Sequence, residues 1–203
     1  MTVRVKICGV TRTEDADAAI KAGADLIGLN FYKPSPRFVG PDAAWRIREI
    51  IGDRAHVVGV FVNAQRVEIE ELARELRLDM LQFHGDEDNA ALAGWTIPVI
   101  RALRIRAGEA ATAIAATRAD YILLDTFHPS LYGGSGVARP LDDLAAVDLS
   151  RVFISGGLNP TNVKQAAALG PYGVDVASGV ESSPRAKDDL KLRSFVANAK
   201  FAR

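Results

Sequence analysis

A thiol and a carboxylic acid sit at the ends of two apolar runs in this sequence, where acid–base chemistry on a small molecule is feasible. Cys8 closes VRVKIC and Asp125 follows the apolar stretch of YILLDTF. A thiol whose pKa falls toward neutrality can act as a base, and a carboxylic acid whose pKa is raised can act as an acid. Both residues also have ordinary roles open to them, as a small buried hydrophobe and as a turn or cap residue. Arg37, in SPRFV, carries the planar fork that grips a carboxylate with two parallel hydrogen bonds, or it is a plain surface arginine. His84, two residues after Gln82, can carry a proton or simply hydrogen-bond.

Glycines mark a second kind of site. ISGGLNPTNV places Gly156 and Gly157 directly after one apolar run, and VDVASGVE places Ser178 and Gly179 after another. Glycine lets backbone N–H groups approach an anion closely, although tight turns alone also require it. Three histidines without a close His, Asp, Glu or Cys cluster give no reason to expect a metal.

The elements that must position these groups alternate. Strand-like runs at VRVKIC, DLIGLNF, HVVGVFV, DMLQFHG, IPVIRAL, YILLDTF, RVFISGG and YGVDVASG are each followed by a segment of helical pattern. Continuous Val and Ile without polar alternation suits a parallel sheet covered on its outside. The first helix reads with Thr13 as N-cap and Gly23 past its end, and the second starts at Pro41. QRVEIEELARELR is the clearest amphipathic helix, with Val67, Leu72 and Leu76 expected inward. EDNAALAG reads as a short helix, LDDLAAV as a weak one, and KDDLKLRSFVANAK closes the chain.

Eight β-then-α units over 203 residues, about 25 residues each, predict an α/β fold: a single (β/α)₈ TIM barrel over 1–203, with a closed, parallel, eight-stranded sheet. In such a barrel active residues stand at the carboxyl ends of strands, and phosphate commonly binds the loops after strands seven and eight. The polar strand ends are Cys8, Asn30, Gln82 with His84, Arg101, Asp125, Ser155 to Gly157, and Asp175 to Gly179, all expected to point into one mouth.

Bulk composition agrees with a soluble protein that binds a small molecule. Lysine plus arginine and aspartate plus glutamate number 25 each, so net charge gives no reason to expect nucleic acid as the main partner. With one cysteine no internal disulfide can form, which fits a reducing cytoplasm. No apolar stretch approaches the ~18–20 residues a membrane span needs. A cytoplasmic monomer is the expectation.

KICGVTR, GLNFYKPSPRFV, GVFVNA, LQFHGDE, LLDT, GGSG, ISGGLNPTNV and GVDVASGVESSPRAKD, in this order, strongly resemble the phosphoribosylanthranilate isomerases, from residue 5 to about residue 195. The resemblance implies an Amadori rearrangement of N-(5′-phosphoribosyl)anthranilate to the carboxyphenylamino-deoxyribulose phosphate, without metal or organic cofactor. It further implies Asp125 as general acid, Cys8 as general base and Arg37 on the anthranilate carboxylate. Gln82, His84 and Asp175 would lie near the substrate, and the phosphate against the backbone of Gly156, Gly157, Ala177 and Ser178.

The sequence departs from the family pattern twice. VARPLDD replaces the usual aromatic-containing segment after GGSG, and Pro184-Arg185 replaces Pro-Gly, a change expected to be tolerated. Rival readings are the histidine-pathway aminoaldose isomerase, disfavoured by Cys8 and by the missing second glycine pair after strand three, and a phosphate-binding barrel without catalysis. Indole-glycerol-phosphate synthase is disfavoured because its acid is a lysine, whereas the nearest strand-end lysine here is Lys6.

Overall fold

The computed structural model describes residues 2–106, 108–126, 141–144 and 146–201. Its strands and helices alternate: β1 (Arg4–Cys8), α1 (Thr13–Ala22), β2 (Leu26–Asn30), α2 (Pro41–Ile51), β3 (His56–Phe61), α3 (Arg66–Glu75) and β4 (Met80–Phe83). Next come β5 (Val99–Ile105), α4 (Ala110–Ala116), β6 (Tyr121–Thr126), β7 (Val152–Ile154), α5 (Val163–Ala168) and β8 (Gly173–Val176). A short antiparallel hairpin, β9 (Glu181–Ser183) with β10 (Ala186–Lys187), precedes α6 (Asp189–Lys200). Strands β1 to β8 form a closed barrel in chain order, every pair parallel, with β8 returning to β1 in the register Lys6↔Asp175.

The apolar runs close this way because both faces of each strand are buried against something. Side chains two apart share a face. Leu26, Val58, Met80, Ile100, Ala102, Leu123 and Phe153 fill the barrel interior. Their neighbours Ile27, Val57, Leu81, Val99, Ile122, Leu124, Val152 and Ile154 pack outward, in one core with the helices. The parity of each strand therefore decides which polar residue at its end looks into the barrel.

A repeated device closes the amino-terminal face. Asp25, Asp79 and Asp120 precede β2, β4 and β6, and each accepts a hydrogen bond from a strand N–H next door: Val5 at 2.8 Å, Val57 at 2.7 Å and Val99 at 2.8 Å. The even strands thus carry a side-chain acceptor for the odd strands. This end of the barrel is held for stability, away from the carboxyl ends.

Several sequence expectations need correction. EDNAALAG forms turns, not a helix: Asp88 accepts from the N–H groups of Ala90 and Ala91, and Gly94 at φ 74° ends the segment. Too few residues separate those points to offset helix nucleation. Val67 is exposed, whereas Ile69, Leu72 and Leu76 are buried; two residues before Ile69, Val67 falls on the opposite face of α3. Arg12, in extended conformation, is the N-cap of α1, and Thr13 is already helical. The weak helix of LDDLAAV is a 3₁₀ turn at Asp142–Leu144. The β9–β10 hairpin was not anticipated. GGSG at 133–136, the VARP that follows it, and Phe127 and His128 lie outside the described residues.

Candidate active site

Cys8 ends β1 on the same face as Lys6, and that face looks into the barrel. Across from it in register stands Gly28 of β2, where a Cβ would lie 3.0 Å from Cys8 Sγ and 3.2 Å from Lys6 Nζ. Only the missing side chain leaves both groups their space. Lys6 is wholly buried, and its ammonium donates to Asp175 Oδ1 at 2.6 Å. Ser155, just after β7, donates to the other Asp175 oxygen at 2.9 Å, so β1, β8 and the end of β7 contribute to one buried polar knot.

Electrostatics in this knot oppose one another. Burial pushes the Cys8 thiol up; Lys6 pulls it down, Asp175 pushes it up again, and the net is a raised pKa. Burial also works against the Lys6 ammonium, but Asp175 and Cys8 outweigh it, so Lys6 is held more firmly charged. A cation is thereby fixed beneath the thiol.

Asp125, at the end of β6 and buried, shares the inward face with Leu123. His84 Nε2 approaches its Oδ2 at 3.4 Å. On the other side of the ring, Gln82 Nε2 lies 3.1 Å from His84 Nδ1. An amide nitrogen only donates, so Nδ1 accepts, and a neutral ring carries its proton on Nε2, toward Asp125. Gln82 Oε1 and His84 Nε2 are buried without a well-formed hydrogen bond among the described residues. Buried polar atoms left so are costly and are commonly completed by a ligand at a functional site.

Arg37 reaches the mouth from the loop after β2. Asn30 shapes that loop, accepting from Tyr32 N at 2.9 Å and donating to Ser35 Oγ at 3.2 Å, while Ser35 Oγ accepts from Arg37 N at 3.1 Å. The stem of Arg37 packs on Gly9, whose φ is 67° and where a Cβ would sit 2.4 Å from Arg37 Cδ. Its guanidinium makes a two-point ion pair with Glu181, Nε at 2.8 Å and Nη2 at 2.7 Å. Lys187, with its side chain fully enclosed, donates to the same Glu181 and to the carbonyls of Cys8 and Ala177. Sequence reasoning assigned nothing to Glu181 and Lys187, although two opposite charges inside a motif of the resemblance were a usable signal.

The two glycine-bearing loops meet. Gly156 and Gly157 take φ of 86° and 64°, which favours glycine, and Asn162 Nδ2 holds the Gly157 carbonyl at 3.0 Å. Ala177 leads into a 3₁₀ turn at Ser178–Val180. Gly179 must be glycine for a different reason, since a Cβ there would lie 1.9 Å from the Leu158 carbonyl oxygen. Contact between the turn after β8 and the loop after β7 makes one continuous backbone surface.

The fold thus brings Cys8, Gln82, His84, Asp125 and Asp175 to one face, with Arg37 and both loops around it. Arg101 is the exception. Its neighbours Ile100 and Ala102 point inward, so Arg101 points out and ties the segment after β4, to Glu87 at 2.7 Å and to the carbonyls of Phe83 and Gly85. Strand parity forbids it the mouth.

Residues 5–198 match the sequence profile described as N-(5'phosphoribosyl)anthranilate (PRA) isomerase. An N-(5'-phosphoribosyl)anthranilate isomerase of Citrifermentans bemidjiense is 43% identical over 199 residues, covering 97% of this chain and 97% of the relative. Among solved structures, the phosphoribosyl anthranilate isomerase of Thermus thermophilus superposes with a TM-score of 0.88 at 38% identity, covering 99% of this chain and 100% of that one. A phosphoribosyl anthranilate isomerase in complex with reduced 1-(o-carboxyphenylamino)-1-deoxyribulose 5-phosphate superposes with a TM-score of 0.81 at 36% identity, covering 98% of each chain.

Proposed function

Because the chain belongs to the N-(5′-phosphoribosyl)anthranilate isomerase family, we propose how its own residues carry out that family's reaction. It is an isomerase of tryptophan biosynthesis, converting an N-phosphoribosyl arylamine to the corresponding 1-amino-1-deoxyketose phosphate. The observation that carries the assignment of roles is the placement of Cys8 and Asp125 on the inward face at the carboxyl ends of β1 and β6.

Asp125 acts as general acid. It gives its proton to the furanose ring oxygen as the C1′–O bond breaks, and the arylamine nitrogen supplies the electron pair that forms the iminium. The His84 N–H faces Asp125 Oδ2 and orients the carboxyl group. The Cys8 thiolate then removes the C2′ proton, and the C2′–H electrons flow into the iminium to give an enolamine. Transfer of the enol proton to C1′ yields the ketone. No atom is gained or lost overall.

Lys6 is the counter-ion that makes a thiolate tolerable there, since burial alone would hold Cys8 protonated. Arg37 takes the aryl carboxylate, Gln82 offers its Oε1 to the substrate, and His84 adjoins it with its Nε2 kept toward Asp125. The phosphate lies on the backbone of Gly156, Gly157, Ala177 and Ser178, where positive-φ glycines open the loop to an anion. Asp175 works from below, fixing Lys6. The exit of β3 suits no second phosphate: Asn63 N donates to Glu87 and Asn63 Oδ1 accepts from Asp86 N, placing two carboxylates near it.

The proposal treats residues 1–203 as one barrel domain acting as a cytoplasmic monomer without a cofactor. No helix among the described residues is long and apolar enough to cross a membrane. The test is the decay of phosphoribosylanthranilate fluorescence, with substrate generated in place from anthranilate and phosphoribosyl pyrophosphate. Rapid decay that Cys8→Ser abolishes is the expected result. Persistence of the substrate beside folded protein defeats the assignment.

A further inference from the structure

We propose that Lys187 sets the net charge of the Arg37 clamp, so that Arg37, Glu181 and Lys187 together select substrates bearing an aryl carboxylate; the inference rests on the isomerase reading above. Arg37 on its own does not explain carboxylate binding, because Glu181 already pairs with it. A guanidinium has five N–H donors. Glu181 occupies the Nε edge, with bonds of 2.8 Å from Nε and 2.7 Å from Nη2. The end-on fork, one donor from each Nη, remains for a second carboxylate in the same two-point geometry.

Geometry leaves a fork, but charge decides whether an anion enters it. The Arg37–Glu181 pair alone is neutral. Lys187 adds a cation 3.1 Å from Glu181 Oε1, the oxygen that also accepts from Arg37 Nε. Two cations around one anion leave a single positive charge, which one substrate carboxylate neutralises. Enclosure keeps water from screening these groups: Glu181 and Lys187 are buried, and the Arg37 side chain is 15% exposed.

Lys187 does not touch the ligand in this arrangement. Its three donors go to Glu181, to the Cys8 carbonyl at 2.8 Å and to the Ala177 carbonyl at 2.9 Å. It is a positioning residue, tying the clamp to the strand that carries the base and to the turn proposed for phosphate. The hairpin bearing it is fixed in turn, by Lys191 Nζ on the Glu181 carbonyl at 2.7 Å and by Asp188 N on the Val180 carbonyl at 2.9 Å.

The experiment measures a ratio. Calorimetry gives the affinity for the reduced product analogue and for its counterpart made from aniline, which lacks the carboxylate. Wild type is expected to prefer the carboxylate form. Lys187→Met should cut that preference about tenfold or more, the scale of one charge-assisted hydrogen bond. The double variant Glu181→Gln/Lys187→Met restores the single positive charge and should recover the wild-type preference, whereas Glu181→Gln alone, with two positive charges, should raise it about tenfold. If Lys187→Met does not fold, the double variant must still fall about tenfold below Glu181→Gln in preference. Ratios that ignore the charge of the trio overturn the proposal. So does a loss confined to Arg37→Ala, which would leave Arg37 acting alone. Absence of any carboxylate preference in wild type refutes the clamp, and turnover of phosphoribosylanthranilate by the same preparation shows separately whether the isomerase reading stands.

Discussion

Lys6 and Asp175, 169 positions apart in the chain, meet at 2.6 Å inside the barrel, where the register of β1 with β8 sets them side by side. The pair supports Cys8 from below, and it also closes the barrel seam with charge in place of hydrocarbon. Removing one partner from a buried pair strands the other. Lys6→Met is therefore expected to lower stability by roughly 3–5 kcal/mol, read from urea unfolding. It should also shift the thiolate absorbance of the protein's only cysteine to higher pH, because Lys6 pulls that pKa down more than any other neighbour. An unshifted thiol titration in folded Lys6→Met separates Lys6 from the base.

The raised thiol pKa has a sign for stability. The folded state disfavours the anion, so the contribution of Cys8 is fully present below the unfolded thiol pKa and is lost as pH rises through the higher folded one. Wild type should thus lose stability at alkaline pH relative to Cys8→Ala, seen as a narrowing or inversion of their unfolding difference above about pH 9. A difference that stays constant across that window contradicts a raised thiol pKa.

Asp125→Asn keeps the shape of the side chain and removes the transferable proton. Turnover should fall by at least ~10²-fold, with the stability of the barrel little changed. Retained turnover in the folded variant would assign the acid elsewhere, with His84, 3.4 Å away, the next to test.

Arg185 stands at φ 73°, in the left-handed region that favours glycine. A non-glycine residue in that region costs about 1–2 kcal/mol. Arg185→Gly should recover about 1 kcal/mol, offset in part by the greater freedom of glycine in the unfolded chain, and leave kcat unchanged. Its carbonyl, which accepts from Thr11 Oγ1, is retained in the variant. A lower melting temperature would show that the side chain contributes more than the strain removes.

Asp120→Ala removes the acceptor for Val99 N at the amino-terminal face. Loss of about 1–3 kcal/mol of stability with unaltered kcat is expected, since the site lies at the opposite end of the barrel. A large fall in kcat would mean that the two ends are coupled.

Much was determined by the sequence itself. Alternating apolar runs and helical segments are a local property, and they specify eight strands that must bury both faces, hence a closed parallel barrel with Cys8 and Asp125 at carboxyl ends. EDNAALAG misled because its composition favours a helix, while its length, bounded by Asp88 and Gly94, does not allow one. Only the tertiary structure decided the pairings. Strand parity sent Arg101 outward and Asp175 inward, and barrel closure set Lys6 against Asp175. The unanticipated hairpin carried Glu181 and Lys187 back to Arg37 across 144 residues of chain. Such contacts depend on register and on how the sheet closes, and neither is encoded within any one segment; a charge in the sequence states what it needs to meet, and the closed barrel supplies which partner it meets.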